Sequence, residues 1–83
     1  MPWLPGASPP MDRQPVESRL IRAVGYDPAG SILEVELVDA GRVYRYFDVP
    51  YSTYQELMEA ESKGGYFNEH VRDLYAFEET DLA

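Results

Sequence analysis

The stretch Ile32-Leu33-Glu34-Val35-Glu36-Leu37-Val38-Asp39-Ala40-Gly41-Arg42-Val43-Tyr44-Arg45-Tyr46-Phe47 decides the fold. Its first half alternates: Leu33, Val35 and Leu37 fall on one side of an extended chain and Glu34 and Glu36 on the other, the period-2 pattern of a half-buried strand. Asp39-Ala40-Gly41 reads as a turn. From Arg42 to Val49 the alternation resumes, with Tyr44 and Tyr46 on one face and Val43, Arg45 and Phe47 on the other. Two such runs around a glycine-containing turn form an antiparallel hairpin. Its register matters, because a slip of one residue turns every side chain over. A three-residue loop with Gly41 left-handed pairs Val38 with Arg42 and sets the tyrosines beside Glu34 and Glu36; this is the commoner turn chemistry. A loop of even length pairs Glu36 with Arg45 and sets Tyr44 and Tyr46 beside Leu37 and Val35. The second is expected, because it matches opposite charges across the strands and gathers the apolar groups on one face, burying both tyrosines.

Upstream, Leu20 to Tyr26 reads as a first strand, joined through Asp27-Pro28-Ala29-Gly30-Ser31, where proline fixes one torsion and glycine permits another. The expected sheet is therefore a three-stranded meander. Residues 1–15 hold five of the seven prolines, at positions 2, 5, 9, 10 and 15. Proline lacks the backbone donor that helices and sheets use, so this segment is expected to be a flexible arm, with Trp3 untethered and Met11 a second possible start. The domain is placed at 16–79 and an acidic tail at 80–83.

Downstream, Pro50 opens a helix that Ser52 or Thr53 can cap, since each precedes Gln55 or Glu56 by the capping-box interval. Tyr54, Leu57 and Met58 form its inner stripe. Glu56, Glu59 and Glu61 form a solvated face rather than a metal cluster, and Lys63 suits the negative end of the helix dipole. Gly64-Gly65 then reads as a tight joint leading to a second helix over about 66–75, with Phe67, Val71 and Leu74 as its buried stripe. Asn68 and Arg72 lie one turn apart beside that stripe. No internal repeat is visible.

With 83 residues the chain allows one domain whose small core needs most of its apolar side chains. It has no cysteine, which excludes disulfides, thiolate metal sites and cysteine nucleophiles, and fits the cytoplasm. Fifteen acidic against seven basic side chains give a formal net charge of -8, which repels nucleic-acid phosphates. No apolar run is long enough to span a bilayer, and the Met1-Pro2-Trp3-Leu4-Pro5-Gly6 start lacks the features of a secretory leader. His70, the one histidine, has Glu69 and Asp73 nearby, but no nucleophile or oxyanion donor is recognisable around it. Gly64-Gly65 lacks the Lys-Ser/Thr and preceding strand of a phosphate loop. Catalytic, cofactor and metal residues are accordingly not expected, and an exposed helical His70 is.

The ordered set Val16-x-Ser18, Ile21-x-x-Val24-Gly25-Tyr26-Asp27, Leu33-x-Val35-x-Leu37, Gly41-x-x-Tyr44-x-Tyr46, Val49-Pro50, Tyr54-x-x-Leu57-x-x-Ala60-x-Ser62-x-Gly64, Phe67-Asn68-x-x-Val71-Arg72 and Tyr75 resembles the KTSC domain over about residues 16–75. That family extends the carboxyl end of some lysyl-tRNA synthetases and also occurs as small free-standing bacterial and phage proteins. It has no established activity, and the resemblance implies RNA binding only through the synthetase fusion. Arg19 stands where a second serine is usual. The Tyr44-x-Tyr46 pair is part of the family pattern, and tyrosines on an open sheet can stack single-stranded RNA bases, although seven tyrosines against three phenylalanines mean that some must fill the core.

The expected fold is α+β, a three-stranded antiparallel meander covered on one face by two short carboxyl-terminal helices. The expected function is a non-enzymatic protein-interaction module using the Gly64 to Arg72 flank or a free sheet edge. Two alternatives stand beside it: RNA binding, with Tyr44, Tyr46, Tyr66, Asn68 and Arg72 as contacts, and an acidic inhibitor that mimics nucleic acid. The partner is expected to be another protein rather than RNA, and no membrane is involved.

Overall fold

The alternation of Leu33, Val35 and Leu37 with Glu34 and Glu36 produces the centre of a five-stranded antiparallel sheet in the computed structural model, which describes residues 13–38 and 41–81. The strands are β1 (Gln14–Pro15), β2 (Ile21–Asp27), β3 (Ile32–Leu37), β4 (Arg42–Tyr46) and β5 (Phe77–Asp81), in spatial order β1-β2-β3-β4-β5. Two helices, α1 (Tyr51–Glu59) and α2 (Lys63–His70), lie between β4 and β5 in sequence. Leu57 of α1 and Phe67 of α2 join Val24, Leu33, Val35 and Tyr46 in one buried cluster, so both helices cover one face of the sheet.

The class is as expected, but the sheet has five strands rather than three. Both additions are outer strands whose residues mask them. Gln14–Pro15 belongs to the proline-rich segment, yet it pairs with Val24 and Ala23, and Val16 N donates to Arg22 O at 3.0 Å. A proline is tolerated there because an outermost strand needs donors on one side only. The arm therefore does not extend to residue 15, and Trp3 lies outside the described residues. Phe77–Asp81 pairs along its length with β4, so the sheet runs through the boundary drawn between the domain and an acidic tail.

The β3–β4 register confirms the parity of the even loop and corrects it by two residues: Glu34 rather than Glu36 faces Arg45, and Tyr44 and Tyr46 face Val35 and Leu33. Gly41 has φ 57, a left-handed angle open to glycine. In the β2–β3 turn it is Ser31, φ 55, that takes the unusual torsion rather than Gly30. Ser31 O accepts from Val49 N at 2.9 Å, which ties this turn to the exit from β4. An irregularity between Ile21 and Ala23 places both Ile21 and Val24 in the core.

Helix α1 begins directly after Pro50 with no side-chain cap, so neither Ser52 nor Thr53 plays the capping role; both sit inside its first turn. The second helix starts three residues earlier than expected. Ser62 caps it by accepting from Gly65 N at 3.1 Å, and Gly64-Gly65 form its first turn instead of a joint. Neither glycine needs a left-handed angle. A Cβ on Gly64 would stand 3.3 Å from Leu20 Cβ, so this glycine marks where α2 approaches the chain before β2 most closely. The helix ends at His70, which leaves Val71 buried but Leu74, expected in the same stripe, 65% exposed. Lys63 belongs to α2, yet its Nζ donates to Ala60 O at 3.1 Å and so serves the end of α1.

Candidate functional site

Between the chain leading into β2 and the start of α2 lies a cleft of about 470 Å³. One wall is Glu17, Ser18, Arg19 and Leu20; the other is residues 61–64 with Asn68. Ser18 shapes the first wall, its Oγ accepting from Leu20 N and Ile21 N at 3.2 Å each, a local side-chain to backbone turn. Ser62 shapes the second by capping α2. The missing Gly64 side chain lets the two walls meet at the cleft floor beside Leu20. The rim carries both charge signs, Glu17 and Glu61 against Arg19 and Lys63.

The sequence candidates separate into three groups. Gly64 and Asn68 line the cleft, and Arg72 stands behind them, its Nη1 donating to Asn68 Oδ1 at 3.2 Å as the one-turn spacing predicts. Tyr66 does not join them: its hydroxyl donates to Glu56 Oε1 at 3.2 Å and its ring lies 4.5 Å from that of His70. Tyr44 and Tyr46 lie on the helix side of the sheet. Tyr46 is 2% exposed and packs edge-on against Phe67 with ring centroids 5.6 Å apart, while the half-buried Tyr44 meets Phe77 at 5.6 Å. Burial of the Tyr46 phenol pushes its pKa up to about 12, although the Arg72 guanidinium works against that rise. The Tyr66 phenol is also raised, first by desolvation and then by its bond to Glu56.

His70 is exposed, with Nε2 3.7 Å from Glu69 Oε2. Among the described residues no group of three or more His, Asp or Glu side chains is arranged to hold a metal ion, and no helix is long and apolar enough to cross a membrane.

Ion pairs on the sheet account for most of the positive charge, and those of Glu34 and Glu36 lie on its outer face, away from the helices. Glu34, with a side chain only 3% exposed, takes Arg13 on one oxygen and Arg45 on the other, the latter at 2.9 Å. Glu36 takes Arg13 at 3.3 Å and Arg22 at 3.6 Å, and Arg42 pairs with Glu79. Arg13, Arg22, Arg42 and Arg45 are therefore all matched to carboxylates, leaving Arg19, Lys63 and Arg72 without such a partner among the described residues. Sequence reasoning missed the wall at 17–20, because the cleft exists only once the segment before β2 lies against α2. The glycine at position 64 was its one sequence signal, read there as a joint rather than as a point of close approach.

The KTSC domain model matches residues 17–75. An uncharacterised protein of Stutzerimonas stutzeri (strain A1501) is 46% identical over 59 residues, covering 71% of this chain and 82% of that one. A lysine–tRNA ligase of Nostoc sp. (strain PCC 7120) is 36% identical over 63 residues, 76% of this chain but only 11% of the ligase. Among solved structures, a KTSC domain protein from Yersinia pestis superposes with a TM-score of 0.78 at 34% identity, covering 89% of this chain and all of that one.

Proposed function

The chain belongs to the KTSC domain family, and from that premise we propose that it is a small cytoplasmic, non-enzymatic module that binds another protein through the cleft formed by Ser18, Leu20, Gly64 and Asn68, with Arg72 positioning Asn68. One observation carries this reading: much of what RNA binding would use is engaged within the fold. Base stacking needs open aromatic faces, and the Tyr46 ring is buried against Phe67. Phosphate contact needs free cations, and four of the seven basic side chains are held by carboxylates. What stays open is a cleft with hydrogen-bonding groups and both charge signs at its rim, which suits a polypeptide better than a polyanion.

The similarity to part of a lysine–tRNA ligase keeps RNA as the second reading. Affinity capture from a bacterial lysate with the tagged chain separates them, run with and without nuclease and beside an Asn68→Ala/Arg72→Ala variant. The proposal expects a captured protein that survives nuclease and is lost in the double variant. Capture that vanishes with nuclease favours RNA. Capture of a basic protein that persists in the double variant but is lost in Glu56→Gln/Glu59→Gln favours a nucleic-acid mimic, since only that role depends on those carboxylates.

A further inference from the structure

The two edges of the sheet are protected in different ways. At one edge β1 is two residues long, includes Pro15 and is clasped from Arg13 to Glu34 and Glu36, all features that blunt an edge. At the other, β5 pairs along its length with β4 and no strand of the described residues lies on its far side, with no proline or lysine in Phe77-Glu78-Glu79-Thr80-Asp81. Beside it lies apolar surface: Phe77 is 53% exposed with its ring 5.6 Å from that of Tyr44, and Leu74, three residues earlier, is 65% exposed.

We propose that β5 accepts an extended segment of a partner protein as a sixth strand, and that this segment alternates basic with apolar residues. The inference rests on the protein-interaction reading and assigns it a second contact surface. Charge selects the occupant. In every antiparallel register that keeps at least three of the five residues paired, a second copy of β5 would oppose one acidic residue to another, Glu79 to Glu79 when all five pair, and like charges directly opposite are destabilising. Self-pairing is thus discouraged by the same carboxylates that would attract a basic strand. They are partly compensated from within, since Arg42 pairs with Glu79 and Arg45 lies 3.8 Å from Glu78. Arg45 is nearer to Glu34, at 2.9 Å, and the Glu78 side chain remains 57% exposed, so it is the carboxylate most available to an incoming lysine or arginine. Backbone hydrogen bonds along the edge would supply affinity, and alternate side chains against Phe77 and Glu78 would supply selectivity.

The test uses the full chain, isotope-labelled, titrated with a short peptide of alternating lysine and valine while backbone amide resonances are followed. Expected are shifts and slowed amide exchange concentrated at 77–81. They should be absent with the same peptide N-methylated along its backbone and absent with a glutamate-valine peptide. Glu78→Lys, whose unperturbed core resonances would establish folding, should lose the lysine-valine peptide and gain the glutamate-valine one. Three results overturn the inference: no shift at 77–81, equal shifts with the N-methylated peptide, or concentration-dependent shifts there without any peptide, which would identify a second copy as the occupant. Shifts confined to 18, 64 and 68 would also remove the edge while leaving the cleft reading intact, whereas failure of the capture experiment would remove the cleft reading without bearing on 77–81.

Discussion

On its helix side the sheet sets Leu33, Val35 and Tyr46 against Leu57 and Phe67, whereas on the other side the same strands carry Glu34, Glu36 and Arg45 in a chain of ion pairs with Arg13 and Arg22. One pleat supplies both faces, since successive residues point to opposite sides. Apolar burial on the first face is nondirectional and approximately proportional to area. The second depends on geometry, because a carboxylate as enclosed as Glu34 is tolerable only while its oxygens are engaged. The contrast teaches where two kinds of group that RNA contact would use are held: the helix side buries the Tyr46 ring, and the outer side pairs Arg13, Arg22 and Arg45 with carboxylates.

The largest expected effect separates the faces by size of loss. Tyr46→Ala removes a buried ring from contact with Phe67 and should cost about 3–5 kcal/mol in urea unfolding. A cost near that of an exposed substitution would mean that the ring is not core and would reopen the stacking platform.

Next comes the outer face. Glu34→Gln keeps the shape but removes the charge shared by Arg13 and Arg45, with an expected loss of about 1–3 kcal/mol. Arg13→Ala, acting on a partly exposed arginine, should cost less, about 0.5–1 kcal/mol. A double-mutant cycle between Glu34 and Arg45 should show coupling; strict additivity would contradict the network.

A last effect appears only at high pH. The Tyr46 pKa rises from 10.0 to about 12 on folding, so above pH 10 the unfolded chain loses this proton while the folded chain retains it. Its contribution is fully present below pH 10 and is lost as pH rises through about 12. The urea midpoint should therefore fall across that interval, and Tyr46→Phe should fall less steeply. A residual slope remains expected from Tyr66, whose pKa is also raised. Identical slopes for wild type and Tyr46→Phe would show that Tyr46 ionises as freely in the fold as outside it.

The central hairpin was legible because Leu33, Val35 and Leu37 alternate with glutamates, and charge matching recovered the parity of its register. The two-residue offset was not, because Arg45 can meet either Glu34 or Glu36 and only the turn geometry chooses between them. The outer strands were hidden by composition: Pro15 argues against a sheet, and Glu78-Glu79-Thr80-Asp81 reads as solvated charge until β4 lies beside it. The Asn68–Arg72 bond followed from helical spacing. Its neighbours Ser18 and Leu20 are more than forty positions away in the chain, and only the approach of the segment before β2 to α2 brings them to the cleft.

The most direct test of the central claim, that this chain favours a protein over RNA because the Tyr46 ring and four of its seven cations are engaged within the fold, is fluorescence anisotropy with single-stranded RNA and transfer RNA across a salt series. The account predicts weak, nonspecific binding at physiological salt that Arg72→Ala leaves essentially unchanged. Submicromolar binding that weakens steeply with salt and is lost in Arg72→Ala would contradict it.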